Sequence, residues 1–257
     1  MLFSPNTRLG RFFHRRNILR WRKAARAASK TDLATLSRYN EIAKKLIRQV
    51  DSFHLEAEGR LALPPLGATT FPRPPGSDWH WRPKAWRGPV AIRGIAPALA
   101  KMELSNELVI FHDCKEAEII LRQERNMREI DLSPYRVDLE VFHFDGSYLS
   151  LVVEVPPESC ENLKKNHLIR LAAIIERERP TTIYARLNVK NGPNTEQVLL
   201  TLPDATTETM VEFDLAYSGL NQQRVERMWV DLMIEQPAMN KISFRDLTLC
   251  RYPRAEI

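Results

Sequence analysis

The segment 225-VERMWVDLMIEQPAMNKISFRDLTLCRY-252 decides the fold. In its first half Met228, Val230, Leu232 and Ile234 fall on one parity, and Trp229, Asp231, Met233 and Glu235 on the other. A pleated strand sends alternate side chains to opposite faces, so the pattern predicts a strand with one face in a core. Pro237 ends the run because it has no N–H to give a ladder. After a polar turn at Asn240-Lys241, Ile242 and Phe244 share one parity, and Leu247 and Leu249 take the other. The switch falls at Arg245-Asp246, where one extra residue in the strand, a β-bulge, produces such a change. The segment therefore predicts two strands joined by a tight connection, the closing hairpin of a sheet structure.

The same alternation recurs upstream. Leu108–Phe111, Glu118–Arg122, Arg136–Phe144, Ser147–Val155, His167–Arg177, Thr181–Lys190, Thr195–Leu202 and Met210–Tyr217 read as strands. Asp145-Gly146 reads as a hairpin turn, and Asn191-Gly192 as a second turn prolonged by Pro193. Strands without a β-α-β rhythm argue for antiparallel pairing. The fold class expected is mostly β: an antiparallel, jelly-roll-like β-sandwich over residues 90–257, with an N-terminal α-helical extension.

The N-terminal region differs in character. Residues 1–50 hold 13 Lys/Arg against two acids, whereas residues 51–257 hold 25 against 30, together the chain's net charge of +6. A basic end on an acidic body suggests a segment that meets polyanions. In residues 1–30, Arg15, Arg16, Arg20, Arg22 and Lys23 stand with Trp21 among Phe12, Phe13, Ile18 and Leu19, the composition of an interfacial helix on anionic lipid. The helical wheel mixes charges into the apolar side, so a solvated tail, or one folded back on the acidic body, fits as well. Residues 31–59 are expected as an amphipathic helix. Leu36, Tyr39, Ala43, Leu46, Ile47, Val50, Phe53 and Ala57 recur at helical spacing within 32–58, with a cap at 29–32 and Gly59 as a stop. That stripe either packs on the sandwich, seats a protein partner or pairs with a second copy. Nucleic acid is not the partner expected for the tail.

Residues 60–89 form a proline-rich strap in which Pro64, Pro65, Pro72, Pro74, Pro75, Pro83 and Pro89 are expected to forbid regular structure. Trp79, Trp81 and Trp86 lie here with Asp78 and Arg82. They either form a platform that stacks on sugar rings or act as wedges pinning the strap to the sheet. On the strand at 181–190, Arg186, Asn188 and Lys190 share a face, with Asn194 and Gln197 just beyond. Amides and a guanidinium offer the donors and acceptors that sugar hydroxyls need. An exposed strand face with a capped loop explains the same residues.

No catalytic constellation is recognisable in the sequence, and the spacing of its many carboxylates neither shows nor excludes a catalytic pair. His112, Asp113 and Cys114 are consecutive, but neighbours on a strand point to opposite faces and cannot pair as nucleophile and base. The six histidines have no zinc spacing, and no phosphate loop, nucleophile elbow or dinucleotide fingerprint occurs. No catalytic residue, metal or cofactor is expected. Cys114, Cys160 and Cys250 are far apart and read as reduced thiols. With no secretory signal or spanning segment, the expected location is cytoplasmic, at most peripheral to the inner membrane.

The ending Phe213-Asp214-Leu215, Trp229 to Leu232, then 242-ISFRDLTLCR-251 resembles the jelly-roll carbohydrate-binding modules over about residues 136–252. The combination DWHWRP, FHDC, FDGSYLSL, ARLNVKNGPNTEQ and PRAE, spanning 78–257, resembles an uncharacterised alphaproteobacterial family of unknown function. The resemblances imply a bacterial protein, a sandwich module and no catalytic residues. The function expected is non-catalytic binding of a glycan or glycan-bearing partner, tethered by the basic tail. The alternative is a scaffold docking a partner or itself through the 32–58 helix.

Overall fold

The computed structural model describes residues 7–61, 70–205 and 208–254, so Pro64 and Pro65 lie outside the described residues. The chain divides into two compact units, residues 1–54 and 55–257.

The first unit is built from α1 (Arg8–Ala27) and the part of α2 (Leu33–Leu61) up to His54, joined through a 3-10 turn at Ala28–Lys30. Thr7 caps α1, its hydroxyl accepting from the Gly10 amide at 3.0 Å, and Asp32 caps α2 by accepting from Thr35 N at 2.9 Å. The stretch expected as a tail is therefore helical from Arg8, and Gly59 falls inside α2, not beyond it. Trp21 meets Tyr39 edge to face at 6.2 Å between ring centres. Gly10 is the buried residue of α1, and Trp21 and Ala24 are half-buried.

The second unit is a sandwich of two antiparallel sheets. Its elements are β1 (Trp79–Trp81), α3 (Lys84–Arg87), β2 (Gly94–Ile95), β3 (Lys101–Ser105), β4 (Leu108–His112), β5 (Ile119–Arg125), β6 (Tyr135–Val141), β7 (Leu149–Glu154), β8 (His167–Arg177), β9 (Ile183–Asn191), β10 (Asn194–Thr201), β11 (Thr209–Asp214), β12 (Val225–Ile234) and β13 (Asn240–Pro253). One sheet runs β11-β8-β13-β6-β5-β2 with β1 added beside β13, and the other runs β10-β9-β12-β7-β4-β3. The alternating sets read from sequence fill the space between them. Met228, Val230 and Leu232 of β12, Ala185 and Leu187 of β9, and Ile242, Phe244, Leu247 and Leu249 of β13 are all fully buried.

Three expectations are corrected. First, β12 and β13 are not a hairpin: they lie in opposite sheets, and the chain crosses the sandwich through 235–239, where Gln236 and Met239 take positive φ. Second, Asp145-Gly146 does not close a hairpin, because β6 and β7 also belong to different sheets. The glycine is needed for another reason. A Cβ at Gly146 would lie 2.4 Å from Asp113 Oδ1 and 2.9 Å from Cys114 N, so only glycine lets this crossover press against the end of β4. Third, the strap is not free of regular structure. Trp79, His80 and Trp81 pair with Arg251, Cys250 and Leu249 of β13, and Pro83 sits at the N-cap of α3, where its missing N–H is harmless.

The bulge is present. The β13–β8 register shifts between Phe244 and Asp246. It turns Arg245 onto Asp131 and Asp246 onto Arg82, whose Nε and Nη2 donate to the carboxylate at 2.8 and 2.7 Å. By contrast, β9 and β10 do form a hairpin, with Gly192 at φ 62° as the first residue of a two-residue turn.

Candidate functional site

Cross-strand pairing turns the outer face of the six-stranded sheet into a grid. One row reads Lys101, Phe111, Ser150, Met233, Tyr184, Thr201 from β3 to β10. The next reads Glu103, Val109, Val152, Asp231, Arg186, Leu199. The third reads Glu154, Trp229, Asn188, Gln197, and the last Arg227, Lys190, Thr195. Burial runs from edge to middle. Gln197, Leu199, Thr195 and Lys190 are exposed, while Asp231 is 5% and Asn188 0% exposed. Such values on the solvent side of a sheet describe a polar floor between taller side chains.

The floor is organised by Asp231. Its Oδ2 accepts from Arg186 Nε at 2.9 Å and Nη2 at 2.6 Å, and from Asn188 Nδ2 at 3.0 Å. Gln197 Nε2 then donates to Asn188 Oδ1 at 3.0 Å. Three donors on Oδ2 leave Asp231 Oδ1 as an acceptor without a hydrogen bond. Oδ2 is held by charge-assisted bonds, which fix the group in place. Trp229 is half-buried next in the row, with the Arg227 guanidinium 4.8 Å from its ring centre. Arg227 is itself fixed by Glu154, and Tyr184 holds Glu235 at 3.3 Å.

The sequence reading names part of this group. Arg186, Asn188, Lys190 and Gln197 share the outer face, although Lys190 is engaged by Glu226 at 2.8 Å. Asn194 does not join them: it pairs with Asn191 in the turn, on the opposite parity to Gln197. Asp231 and Trp229 were missed as members. Their shared outward parity was legible, but only the β9–β12 register sets Asp231 against Arg186.

The strap tryptophans lie elsewhere and are wedges. Trp86 is fully buried, its Nε1 donating to Phe244 O at 2.7 Å. Trp81 is 9% exposed, and its ring stacks at 25° on that of Trp79, which packs against the core. With Trp86 enclosed, the three rings cannot form a common stacking platform. Among the tail residues, Trp21 faces Tyr39 of α2, while Arg15, Arg16, Arg20, Arg22 and Lys23 are exposed.

The His112-Asp113-Cys114 run is a structural knot. His112 is buried, Nε2 lying 3.1 Å from Ala98 O, and its Nδ1 accepts from Cys114 N at 3.2 Å. Cys114 Sγ lies 2.6 Å from Asp145 Oδ1. Burial, then that carboxylate, push the thiol pKa up, the wrong direction for a nucleophile. Asp113 instead accepts from Ser147 and Tyr148 amides at 2.7 and 3.1 Å. Among the described residues no group of His, Cys, Asp and Glu has a metal-binding arrangement, and no helix is long and apolar enough to cross a membrane.

The architecture thus defines an antiparallel β-sandwich module preceded by a helical pair. The chain belongs to a family of unknown function (DUF6478), whose model matches residues 1–257. No curated protein matches it. Among solved structures it is similar to the enzymatically active domain of tailspike protein 4 of bacteriophage CBA120, at 7% identity and TM-score 0.40, over 62% of this chain and 21% of that one. It is also similar to a family 11 carbohydrate-binding module from Clostridium thermocellum bound to a mixed-linked tetrasaccharide, at 12% identity and TM-score 0.39, over 65% and 99%. A third is TmCBM61 with β-1,4-galactotriose, at 12% identity and TM-score 0.32, over 58% and 90%. At these scores the likeness carries no ligand over to this chain.

Proposed function

We propose that the sandwich is a non-catalytic binding module for a glycan or glycan-bearing partner, held on the outer face of the six-stranded sheet, and that the helical unit is its tether. The observation that carries this reading is the Asp231 network: one carboxylate oxygen is committed to Arg186 and Asn188, and the other accepts no hydrogen bond, on the sheet face shared with Gln197 and Trp229. Fixed acceptors and donors beside an aromatic ring suit vicinal hydroxyls on a sugar with an apolar ring face. The side chains are already oriented by one another, so little rotamer freedom is lost on binding.

Glycan-array screening of the full chain, followed by titration calorimetry, tests it. Gln197→Ala and Trp229→Ala are expected to weaken the best glycan tenfold or more, with unchanged melting. Wild-type protein that binds no glycan, or binding untouched by both changes, refutes the reading.

A second reading is favoured by one observation. Ile42, Leu46, Ile47, Val50 and Phe53 of α2 are 38–74% exposed, an uncovered apolar stripe of the kind that seats a partner helix. A scaffold docking through α2 predicts oligomers, or a co-purifying partner, lost in Leu46→Ser/Val50→Ser. A monomer by light scattering without a partner counts against it.

A further inference from the structure

Taking the helical unit as a tether, the structure points to what it is tethered to: we infer that α1 lies flat on an anionic lipid surface, using the arc opposite its contact with α2. This inference rests on the tether reading and adds the partner and the contacting residues.

At about 3.6 residues per turn, Gly10, Trp21 and Ala24 fall on one arc of α1. These are the residues of α1 that are buried or half-buried, and Trp21 meets Tyr39 of α2. The opposite arc carries Arg8, Phe12, Arg15, Leu19, Arg22, Lys23 and Arg26. Leu9 and Ile18 stand on its flanks, whereas Phe13 lies on the side of Gly10 and lines a groove with Gly10 and Phe53 of α2. The four apolar side chains on that arc and its flanks, Leu9, Phe12, Ile18 and Leu19, are 50–64% exposed. Packing against α2 thus sorts a sequence that looked poorly amphipathic: the seam takes the tryptophan and the small residues, and the exposed large apolar residues of α1 other than Phe13 remain outside.

Charge selects the occupant. The 20-residue helix holds eight Lys/Arg and no acid, and among the described residues none of the eight enters an ion pair with an acid. A second copy would bring eight like charges against these. An apolar helix partner would leave the guanidinium groups unsatisfied. A bilayer with anionic headgroups accepts both features: Phe12 and Leu19 enter the headgroup–acyl boundary while Arg and Lys stems lie along it with their charges in the phosphate layer. The helix lies on the membrane and does not cross it.

The test is flotation of the full chain with phosphatidylcholine vesicles, with and without phosphatidylglycerol, alongside heparin and duplex DNA. Binding is expected only to phosphatidylglycerol vesicles and to fall with salt. Arg15→Gln/Arg22→Gln/Arg26→Gln should lower partitioning about a hundredfold, and Phe12→Ala/Leu19→Ala at least tenfold, with helical circular dichroism unchanged. Trp21→Phe, on the α2 side, should leave it unaltered. Binding to heparin or DNA but not to vesicles overturns the lipid inference while the tether reading stands. Binding to none of these overturns both. Vesicle binding insensitive to the Phe12/Leu19 change overturns the proposed face.

Discussion

Arg82 and Asp246 show how much one pair of residues can depend on its surroundings. Burial pushes the Asp246 carboxyl above the usual carboxylate range, against the pull of Arg82, and the Arg82 side chain is fully buried. Arg82→Ala leaves a buried charge without its partner, so it should cost about 3–5 kcal/mol in urea unfolding. A loss under 1 kcal/mol would mean that Asp246 finds solvent. At Gly146, Ala places a Cβ against Asp113 Oδ1 and the Cys114 backbone. An expected cost of about 1–3 kcal/mol follows from moving β4's end, read by thermal denaturation. Burial also pushes the Cys250 thiol up to about 11. Native protein at neutral pH should therefore leave Cys250 unalkylated by iodoacetamide while denatured protein modifies it. Rapid native labelling of Cys250 would contradict the structure.

At the scale of elements, the strap is the most instructive. Trp86→Ala empties a fully buried site over Phe244 and should destabilise the sandwich by about 3–5 kcal/mol, visible as a shifted urea midpoint. The strands were legible because alternation is a local property. Met228 to Ile234 reads the same in any sheet, and the parity switch at Arg245 needs no partner to be seen. Beyond the β9–β10 hairpin, which strands pair was not legible. Nothing within 225–252 says that β12 and β13 enter different sheets, and Asp145-Gly146 looks like a hairpin turn although its glycine serves a close approach to Asp113. The short strands β1 and β2 were invisible because two or three residues carry no period. The site was half legible for the same reason. Arg186, Asn188 and Gln197 sit near one another along the chain, whereas Asp231 reaches them only through the β9–β12 register. The strap tryptophans stayed open between platform and wedge in the sequence because aromatic residues serve cores and ligands alike.

At the scale of the whole molecule, ion pairs link the sandwich's strands and set its pH response. Hydrogen bonds from Ser147 and Tyr148 hold Asp113 low. Tyr252 holds Glu212 low, aided by Arg170. Burial pushes Glu140 up, but Arg122 and Lys241 outweigh it and leave it lowered. A carboxyl lowered on folding contributes stability that is present above its unfolded pKa, about 4, and lost as pH falls through its folded value. The melting temperature of the full chain should therefore decline as pH drops below about 4, and a flat profile would contradict these assignments. On this framework the sandwich presents a rigid polar floor while the helical unit presents charge and apolar side chains.

The outer face of the six-stranded sheet is proposed as the binding surface. Backbone and indole NMR shifts of the full chain, followed while the best array glycan is added, test it most directly. Saturable shifts are expected at Asn188, Gln197, Asp231 and the Trp229 indole, with the Trp86 indole unmoved. Shifts that leave these residues still and fall on the opposite sheet would contradict it.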